Sequence, residues 1–227
     1  MTTPLTGPRI APKSGVAKQL VVFLHGYGAD GKDLIEVGRQ WQKLLPDAAF
    51  VSPNAPEPCA MSPMGRQWFS LTMRDPNERW TGVVKARPAL DAFLDAELTA
   101  QSLPDSALAL VGFSQGAMMA LHVGLRRARA PAAILSFSGL LVGSEHLNEA
   151  TARAPNGEPP PILLIHGEED ETIPVEAMFN AADELSKANL PAQWHLSRGI
   201  GHGIDGGGLL HGGLFLANAF GLRMPAR

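Results

Sequence analysis

The segment Gly112–Gly116, with the sequence Gly-Phe-Ser-Gln-Gly, constrains the fold of this chain more than any other feature. An apolar run at 107–111 precedes it and has the length of a buried strand in a parallel sheet. Good helix formers follow it at 117–121 without a breaker. Gly-x-Ser-x-Gly between a strand and a helix indicates a sharp turn that lifts a serine hydroxyl off the strand end. We therefore interpret Ser114 as a candidate nucleophile; the alternative is an ordinary glycine-rich turn.

Short apolar runs alternate with helical patterns along the rest of the chain. We predict strands at 19–24, 48–52, 107–111, 132–137, 161–165 and 192–196. We predict helices at 32–45, within 81–103, from the elbow to about 127, from Pro174 to Lys187, and at 209–222. This alternation predicts an α/β fold with a doubly wound, mostly parallel sheet flanked by helices. The irregular segments 53–80 and 139–160 do not have the composition of linkers, so we predict one domain over 1–227.

The composition excludes several classes of protein. Hydrophobic residues make up 45% of the chain and the net charge is −3, which favours a sizeable core and gives no indication of nucleic-acid binding. Three arginines near the predicted helix end, Arg126, Arg127 and Arg129, are expected to be solvated there. The lone cysteine, Cys59, allows neither an intrachain disulfide nor a cysteine metal site, and no metal is expected.

The chain lacks targeting and membrane signals. Its N-terminus has no signal-peptide pattern, and its apolar runs are too short to span a bilayer. We expect a soluble, cytoplasmic protein without stable membrane insertion, and the sequence leaves open whether it is a monomer or a homodimer.

A serine nucleophile needs a base and an acid that orients the base. In parallel α/β sheets, such groups gather beyond the carboxyl ends of the strands. His202 lies in a glycine-rich loop just after the last predicted strand, so we predict that it is the base. His166 also ends a strand but precedes any suitable acid, and the other candidates lie within predicted elements: His122, His195 and His211.

Four consecutive carboxylates, Glu168–Glu171, follow the strand at 161–165. We predict that Asp170 orients the histidine, with Glu168 as the alternative, and that the others are solvated. The developing oxyanion needs two amides. One is the N–H of Gln115, the residue after the nucleophile. For the second we favour Leu24, at the start of Leu-His-Gly-Tyr-Gly; the alternative is a plain strand-end turn.

Six short motifs in this order resemble the phospholipase/carboxylesterase family of α/β-hydrolases, which includes the acyl-protein thioesterases: Phe23–Gly28, Ser52–Pro56, Arg66–Phe69, Gly112–Ala117, His166–Pro174 and Gly201–His202. The resemblance implies an α/β-hydrolase fold without a large lid, esterase activity and no cofactor. It assigns the triad to Ser114, Asp170 and His202, and the oxyanion amides to Leu24 and Gln115. The chain departs from the family pattern at Glu168 and Glu171.

Apolar side chains are frequent in the irregular segment before 81: Met61, Met64, Trp68, Phe69, Leu71, Met73 and Trp80. They indicate either an acyl pocket or core packing under a long loop. Met61, Met64, Trp68 and Ile173 are our candidates for substrate contacts. We expect hydrolysis of short- to medium-chain acyl esters, or of thioesters. The alternatives are a lactone-opening hydrolase of the dienelactone type, which would carry cysteine in the elbow, and a ligand-binding protein without catalysis.

Overall fold

A seven-stranded sheet forms the centre of the molecule. The computed structural model describes residues 4–72, 75 and 77–222. The sheet order is β1-β3-β2-β6-β7-β8-β9, and every neighbouring pair is parallel except β1 with β3. Its strands are β1 (Arg9–Ile10), β2 (Gln19–Leu24), β3 (Ala48–Val51), β6 (Leu108–Phe113), β7 (Ala133–Phe137), β8 (Ile162–Gly167) and β9 (Ala192–Ser197). A separate small hairpin pairs β4 (Glu57–Pro58) with β5 (Arg66–Gln67).

Within the described ranges, five α-helices connect or follow the strands: α1 (Lys32–Trp41), α2 (Glu78–Gln101), α3 (Gln115–Gly124), α4 (Glu176–Lys187) and α5 (Gly206–Ala219). Short 3₁₀ turns lie at Asp105–Ala107 and Ser144–Glu149. The predicted alternation of strands and helices is confirmed. The sequence missed β1, whose two residues are too few to give an alternating pattern, and it missed the hairpin inside the segment 53–80.

Helix boundaries differ from the prediction in ways that have physical causes. Helix α4 begins at Glu176 rather than at Pro174. Helix α5 begins at Gly206 rather than at 209, because the Asp205 carboxylate accepts hydrogen bonds from the amides of Gly207 and Gly208 and caps the first turn. The glycines of that first turn look like a loop in the sequence. Pro88 lies inside α2 without ending it.

Each face of the sheet is covered by its own apolar layer. Leu20, Val22 and Leu24 of β2 face the layer that includes α2, α3 and α4, whereas Val21 and Phe23 face the layer of α1 and α5. Both sets are buried, which is why the strand reads as a continuous apolar run. The sheet is therefore held from both sides, and its carboxyl edge provides a rigid support for the residues that follow the strands.

The prediction of solvated arginines after α3 is wrong for two of the three. Arg126 and Arg127 are buried, and only Arg129 is exposed. Arg127 forms ion pairs with three carboxylates, those of Asp91, Asp95 and Asp105. These acids lie on α2 and in the turn before β6, so no local pattern around residue 127 revealed them.

Within the described residues, no helix is long and apolar enough to cross a membrane.

Candidate active site

Ser114 lies in a strained turn between β6 and α3. Its φ is 54° and its ψ is −116°, and its amide donates to the carbonyl of Phe137 at 2.9 Å. A β-carbon at Gly112 would lie 2.3 Å from the Gly116 oxygen, and one at Gly116 would lie 1.9 Å from the Leu24 oxygen. The two glycines of the motif are therefore sterically required, and they allow the turn to form between closely packed backbones.

Three polar side chains from separate loops form a hydrogen-bonded chain. The Nε2 atom of His202 lies 3.0 Å from the Oγ atom of Ser114. The Nδ1 atom of the same ring lies 2.7 Å from the Oδ2 atom of Asp170. A carboxylate only accepts, so Nδ1 carries the hydrogen, and Nε2 of the neutral ring is left to accept the serine proton. This is the arrangement of a nucleophile, a base and an orienting acid.

Asp170 differs sharply from the three glutamates beside it. Its side chain is fully buried, whereas Glu168, Glu169 and Glu171 are exposed. Its Oδ1 atom accepts from the amides of Thr172 and Ile173, each at 2.9 Å. Burial alone would raise the pKa of Asp170, but the hydrogen bonds from the Ile173 amide and from His202 outweigh it and hold the pKa below its usual value. The group is therefore held as a carboxylate.

The histidines within α3, β9 and α5 lie apart from this chain of hydrogen bonds. His195 stacks on His211, with ring centroids 4.1 Å apart, and His122 is buried in α3. Among the described residues, His202 is the one histidine hydrogen-bonded to Ser114. The histidine predicted as the base thus has the geometry that a base requires.

The two predicted oxyanion amides lie beside the elbow. Gln115 is the first residue of α3, where an N–H has no partner within the helix. Leu24 is the last residue of β2 and is in register with Gly112 of β6. Its amide therefore belongs to the strand, and the turn begins only after it. Tyr27 in that turn has an amide without a hydrogen-bond acceptor in the described part of the chain.

Two supporting side chains were not anticipated from the sequence. The buried Gln115 side chain accepts from the amide of Trp68 at 2.9 Å and donates to the carbonyl of Phe69 at 2.8 Å. The buried His25 ring donates from Nδ1 to the Gly26 carbonyl and accepts the Ala55 amide at Nε2. Burial lowers the pKa of His25, which suits this neutral role. Except for the bond between His25 and Gly26, these contacts are long-range, so motif spacing could not reveal them.

The predicted substrate contacts fall into two groups. Met61 and Met64 are 81% and 89% exposed, in a turn that packs on the loop after β2: the Gly28 amide donates to the Arg66 carbonyl at 2.9 Å. Core packing, the alternative for this segment, is therefore wrong for these two methionines. Trp68, by contrast, is buried and donates to the His25 carbonyl at 3.0 Å. Ile173 is also buried, and Met73 lies outside the described residues.

A second apolar surface lies beside His202. The Phe113 ring lies 4.9 Å from the His202 ring, centroid to centroid. It borders a cavity of about 250 Å³ whose other walls are Asp33, Leu34, Val37, Ile204 and Leu209. This cavity was not predicted, because its walls come from α1, the elbow, the loop before α5 and the start of α5.

No group of three or more potential metal-binding side chains lies together within the described ranges.

Comparison with known proteins places this geometry in a family. The model of the phospholipase/carboxylesterase family matches residues 5–216. The chain belongs to the phospholipase/carboxylesterase family. Esterase YpfH of Escherichia coli is 30% identical over 189 residues, which are 83% of this chain and 78% of the relative. Acyl-protein thioesterase 1 of Gibberella zeae is 24% identical over 214 residues, 89% of this chain and 91% of the relative.

A solved structure agrees with the family assignment. The crystal structure of esterase PE8 has a TM-score of 0.89 and 43% identity, and the match covers 96% of this chain and 100% of that one. The predicted resemblance is confirmed. This member of the phospholipase/carboxylesterase family has the α/β-hydrolase fold, shows no large lid in its described residues, and is a carboxylic-ester hydrolase.

Proposed function

We propose that the protein is a serine carboxylesterase that cleaves short- to medium-chain acyl esters through an acyl-enzyme on Ser114. The observation that carries the proposal is the unbroken chain of hydrogen bonds from Ser114 through His202 to the buried Asp170. A serine hydroxyl is a weak nucleophile alone, and a base within hydrogen-bond reach removes that limit.

In the proposed reaction, the Oγ atom of Ser114 attacks the ester carbonyl carbon while its proton moves to Nε2 of His202. Asp170 stabilises the imidazolium that forms. The tetrahedral intermediate then collapses, and Nε2 returns the proton to the leaving oxygen, or to sulfur in a thioester. Water repeats the cycle: it gives a proton to Nε2, attacks the acyl carbon and releases the carboxylic acid and the free serine.

The negative charge on the carbonyl oxygen requires amide donors in fixed positions. We propose the Gln115 amide as one donor, supported by its place at the start of α3. The dipole of α3 favours negative charge at the same point. Leu24 remains the predicted second donor. Tyr27 competes with it, because the Tyr27 amide lies in the turn and has no acceptor among the described residues.

The surfaces around the triad support an uncharged substrate. We propose that Trp68 and Ile173 form the floor of the acyl pocket and that Met61 and Met64 form its rim. The cavity bordered by Phe113 adds apolar surface beside His202. A relative named as an esterase and another named as a thioesterase support ester and thioester substrates equally.

Hydrolysis of p-nitrophenyl esters from acetate to laurate tests the proposal, with acyl thioesters of the same chains assayed alongside. We expect activity to peak at a short or medium chain. Ser114→Ala should lower kcat by a factor on the order of 10⁶ if it behaves like other triad serines. A fluorophosphonate should label Ser114 and stop turnover.

The same measurements separate the alternatives. Full activity in Ser114→Ala would exclude the acyl-enzyme. Cleavage of lactones with no cleavage of open-chain esters would favour the lactone-opening class. A folded protein that neither reacts with the fluorophosphonate nor cleaves any substrate would be a binding protein. In a crystal of the labelled enzyme, the amide nearest the phosphoryl oxygen identifies the second oxyanion donor as Leu24 or Tyr27.

A further inference from the structure

His166 is a buried histidine that the proposed reaction does not use. It is the fifth residue of β8 and is 2% exposed. Its Nε2 atom lies 2.8 Å from the carbonyl oxygen of Ile173 and 3.3 Å from the Oδ2 atom of Asp170. Both neighbours only accept hydrogen bonds, so Nε2 must carry a hydrogen, which it donates to the Ile173 carbonyl while lying in close polar contact with the Asp170 carboxylate.

These contacts close the loop that carries the acid. The amide of Ile173 donates to Oδ1 of Asp170, while the carbonyl of Ile173 accepts from His166. His166 therefore fixes Ile173, whose amide binds the Asp170 carboxylate, and His166 also lies close to that carboxylate. Oδ2 of Asp170 lies between two imidazole rings, since His202 donates to the same oxygen at 2.7 Å.

We propose that His166 is a positioning residue for the triad. It acts through Asp170: the N–H holds the Ile173 backbone, whose amide binds the carboxylate, and the carboxylate in turn fixes the His202 ring opposite Ser114. The inference rests on the proposed function. It assigns His166 no contact with the substrate and no proton transfer.

Amide side chains provide a matched pair of variants. The side-chain nitrogen of glutamine stands as many bonds from the α-carbon as Nε2 of histidine, whereas that of asparagine stands where Nδ1 does. His166→Gln therefore keeps a donor directed at the Ile173 carbonyl, and His166→Asn removes it at nearly constant polarity. Neither amide titrates, so retained activity in His166→Gln would show that donation, rather than charge, is what the position supplies.

We expect His166→Asn to lower kcat about tenfold to a hundredfold, well below the ~10³–10⁴ typical of losing the acid itself. KM for p-nitrophenyl butyrate should stay unchanged, and His166→Gln should recover most of kcat. In an Asp170→Asn background, His166→Asn should cost little more, because two residues that act through one path are not additive. Thermal unfolding of each variant should be measured first.

A proton NMR signal gives a readout that does not depend on turnover. The far-downfield resonance of the His202 Nδ1 hydrogen should shift or broaden in His166→Asn and persist in His166→Gln. Unchanged kcat and an unchanged resonance in His166→Asn would overturn the proposal. So would equal losses in the Asn and Gln variants, or a full additional loss in the Asp170→Asn background. Full activity in Ser114→Ala would instead refute the proposed function, leaving the resonance as the test of His166.

Discussion

Helix α3 has a polar cluster at each end, and the two clusters differ in how their polar groups are paired. At the amino end, Ser114, His202 and Asp170 form a line of hydrogen bonds that stops at a hydroxyl. At the carboxyl end, Arg127 is surrounded by Asp91, Asp95 and Asp105, at distances from 2.6 to 3.2 Å. The first cluster ends at a reactive atom, the Ser114 Oγ, and we call it the open end. In the second cluster each carboxylate is paired with Arg127, and we call it the closed end.

The helix dipole suits both clusters in opposite ways. Its positive end lies below the serine, where negative charge would develop, and its negative end lies next to the two buried arginines. Burial would lower the pKa of Arg127, but the hydrogen bonds that it donates to Asp95 and Asp105 outweigh burial and raise the pKa above its usual value. The ion pairs of Arg127 with its three carboxylates stabilise the fold. The hydrogen bonds from Asp170 through His202 end at the Ser114 hydroxyl, whose proton is free to transfer. The comparison predicts that mutations at the two ends affect different measurements.

The largest effect is expected at the open end. Asp170→Asn keeps the shape of the side chain but removes the charge that orients and stabilises His202, so kcat should fall by about 10³ to 10⁴. Glu169→Gln is the control, because Glu169 is exposed one residue away and should leave kcat nearly unchanged. Both variants are to be compared by steady-state kinetics and by thermal unfolding. If Glu168→Gln lost activity while Asp170→Asn kept it, the acid would be Glu168.

At the closed end, the expected effect is on stability. Arg127→Met leaves three carboxylates without their shared cation, and the free energy of unfolding should fall by about 3 kcal/mol, the lower end for breaking a buried ion pair. Asp95 is largely exposed, which limits the loss. Arg129→Met, on the exposed neighbour, should stay within about 0.5 kcal/mol. Urea unfolding measures both.

The kcat of folded Arg127→Met should be close to that of the unmodified enzyme. A loss of kcat as large as that of Asp170→Asn, without a loss of stability, would mean that the closed cluster also serves the reaction and that the comparison fails.

A third prediction concerns the histidine between the two clusters. His122 is buried in α3, and burial, followed by the charges of Arg126 and Arg87, lowers its pKa to about 3. His122 therefore stays neutral in the folded state at pH values below about 6.5, where the unfolded state binds a proton. The stability tied to His122 is present above that pH and is lost as the pH falls toward 3.

Between about pH 7.5 and about pH 5, His122 should account for about 2 kcal/mol of lost stability, which His122→Leu should not show. Urea unfolding of both proteins at the two pH values isolates this contribution, whatever the absolute stability of the variant. Equal pH dependence in the two proteins would mean that His122 is protonated without cost in the folded state.

The two ends of α3 also show what sequence patterns reveal. Ser114 and the region around Asp170 and His202 were predictable because each follows a strand, and parallel strands bring their carboxyl ends to one edge. The acid was separable from its neighbours only by its place in the motif; the structure adds that Asp170 alone among Glu168–Glu171 is buried. The Arg127 cluster was missed because its partners stand 22 to 36 residues away with no periodic relation.

Contacts across long loops could not be predicted from the sequence for the same reason. Gln115 was predicted for its amide, but its side chain also fixes Trp68 and Phe69, about 46 residues away. The first turn of α5 was read as a loop, because Gly206 and the two glycines after it are poor helix formers until the Asp205 cap is considered. Local propensity predicts elements well, whereas the chemistry of side chains between them depends on packing.

The smallest expected effect concerns the rim beside the open end. Met61 and Met64 are exposed in the free enzyme, so they contribute little to folding and act only if an acyl chain covers them. Burying part of a methionine side chain contributes about 1 kcal/mol at roughly 25 cal/mol per Å². Truncation of both to alanine should therefore raise KM for an octanoyl ester by about threefold to tenfold, with kcat and the KM for acetate unchanged. Val16→Ala is the matched control for losing exposed apolar area, because Val16 is exposed in the loop before β2 rather than at the site. Equal KM values for octanoate in the methionine variant and in Val16→Ala would remove Met61 and Met64 from the acyl pocket and leave its floor, Trp68 and Ile173, to be tested alone.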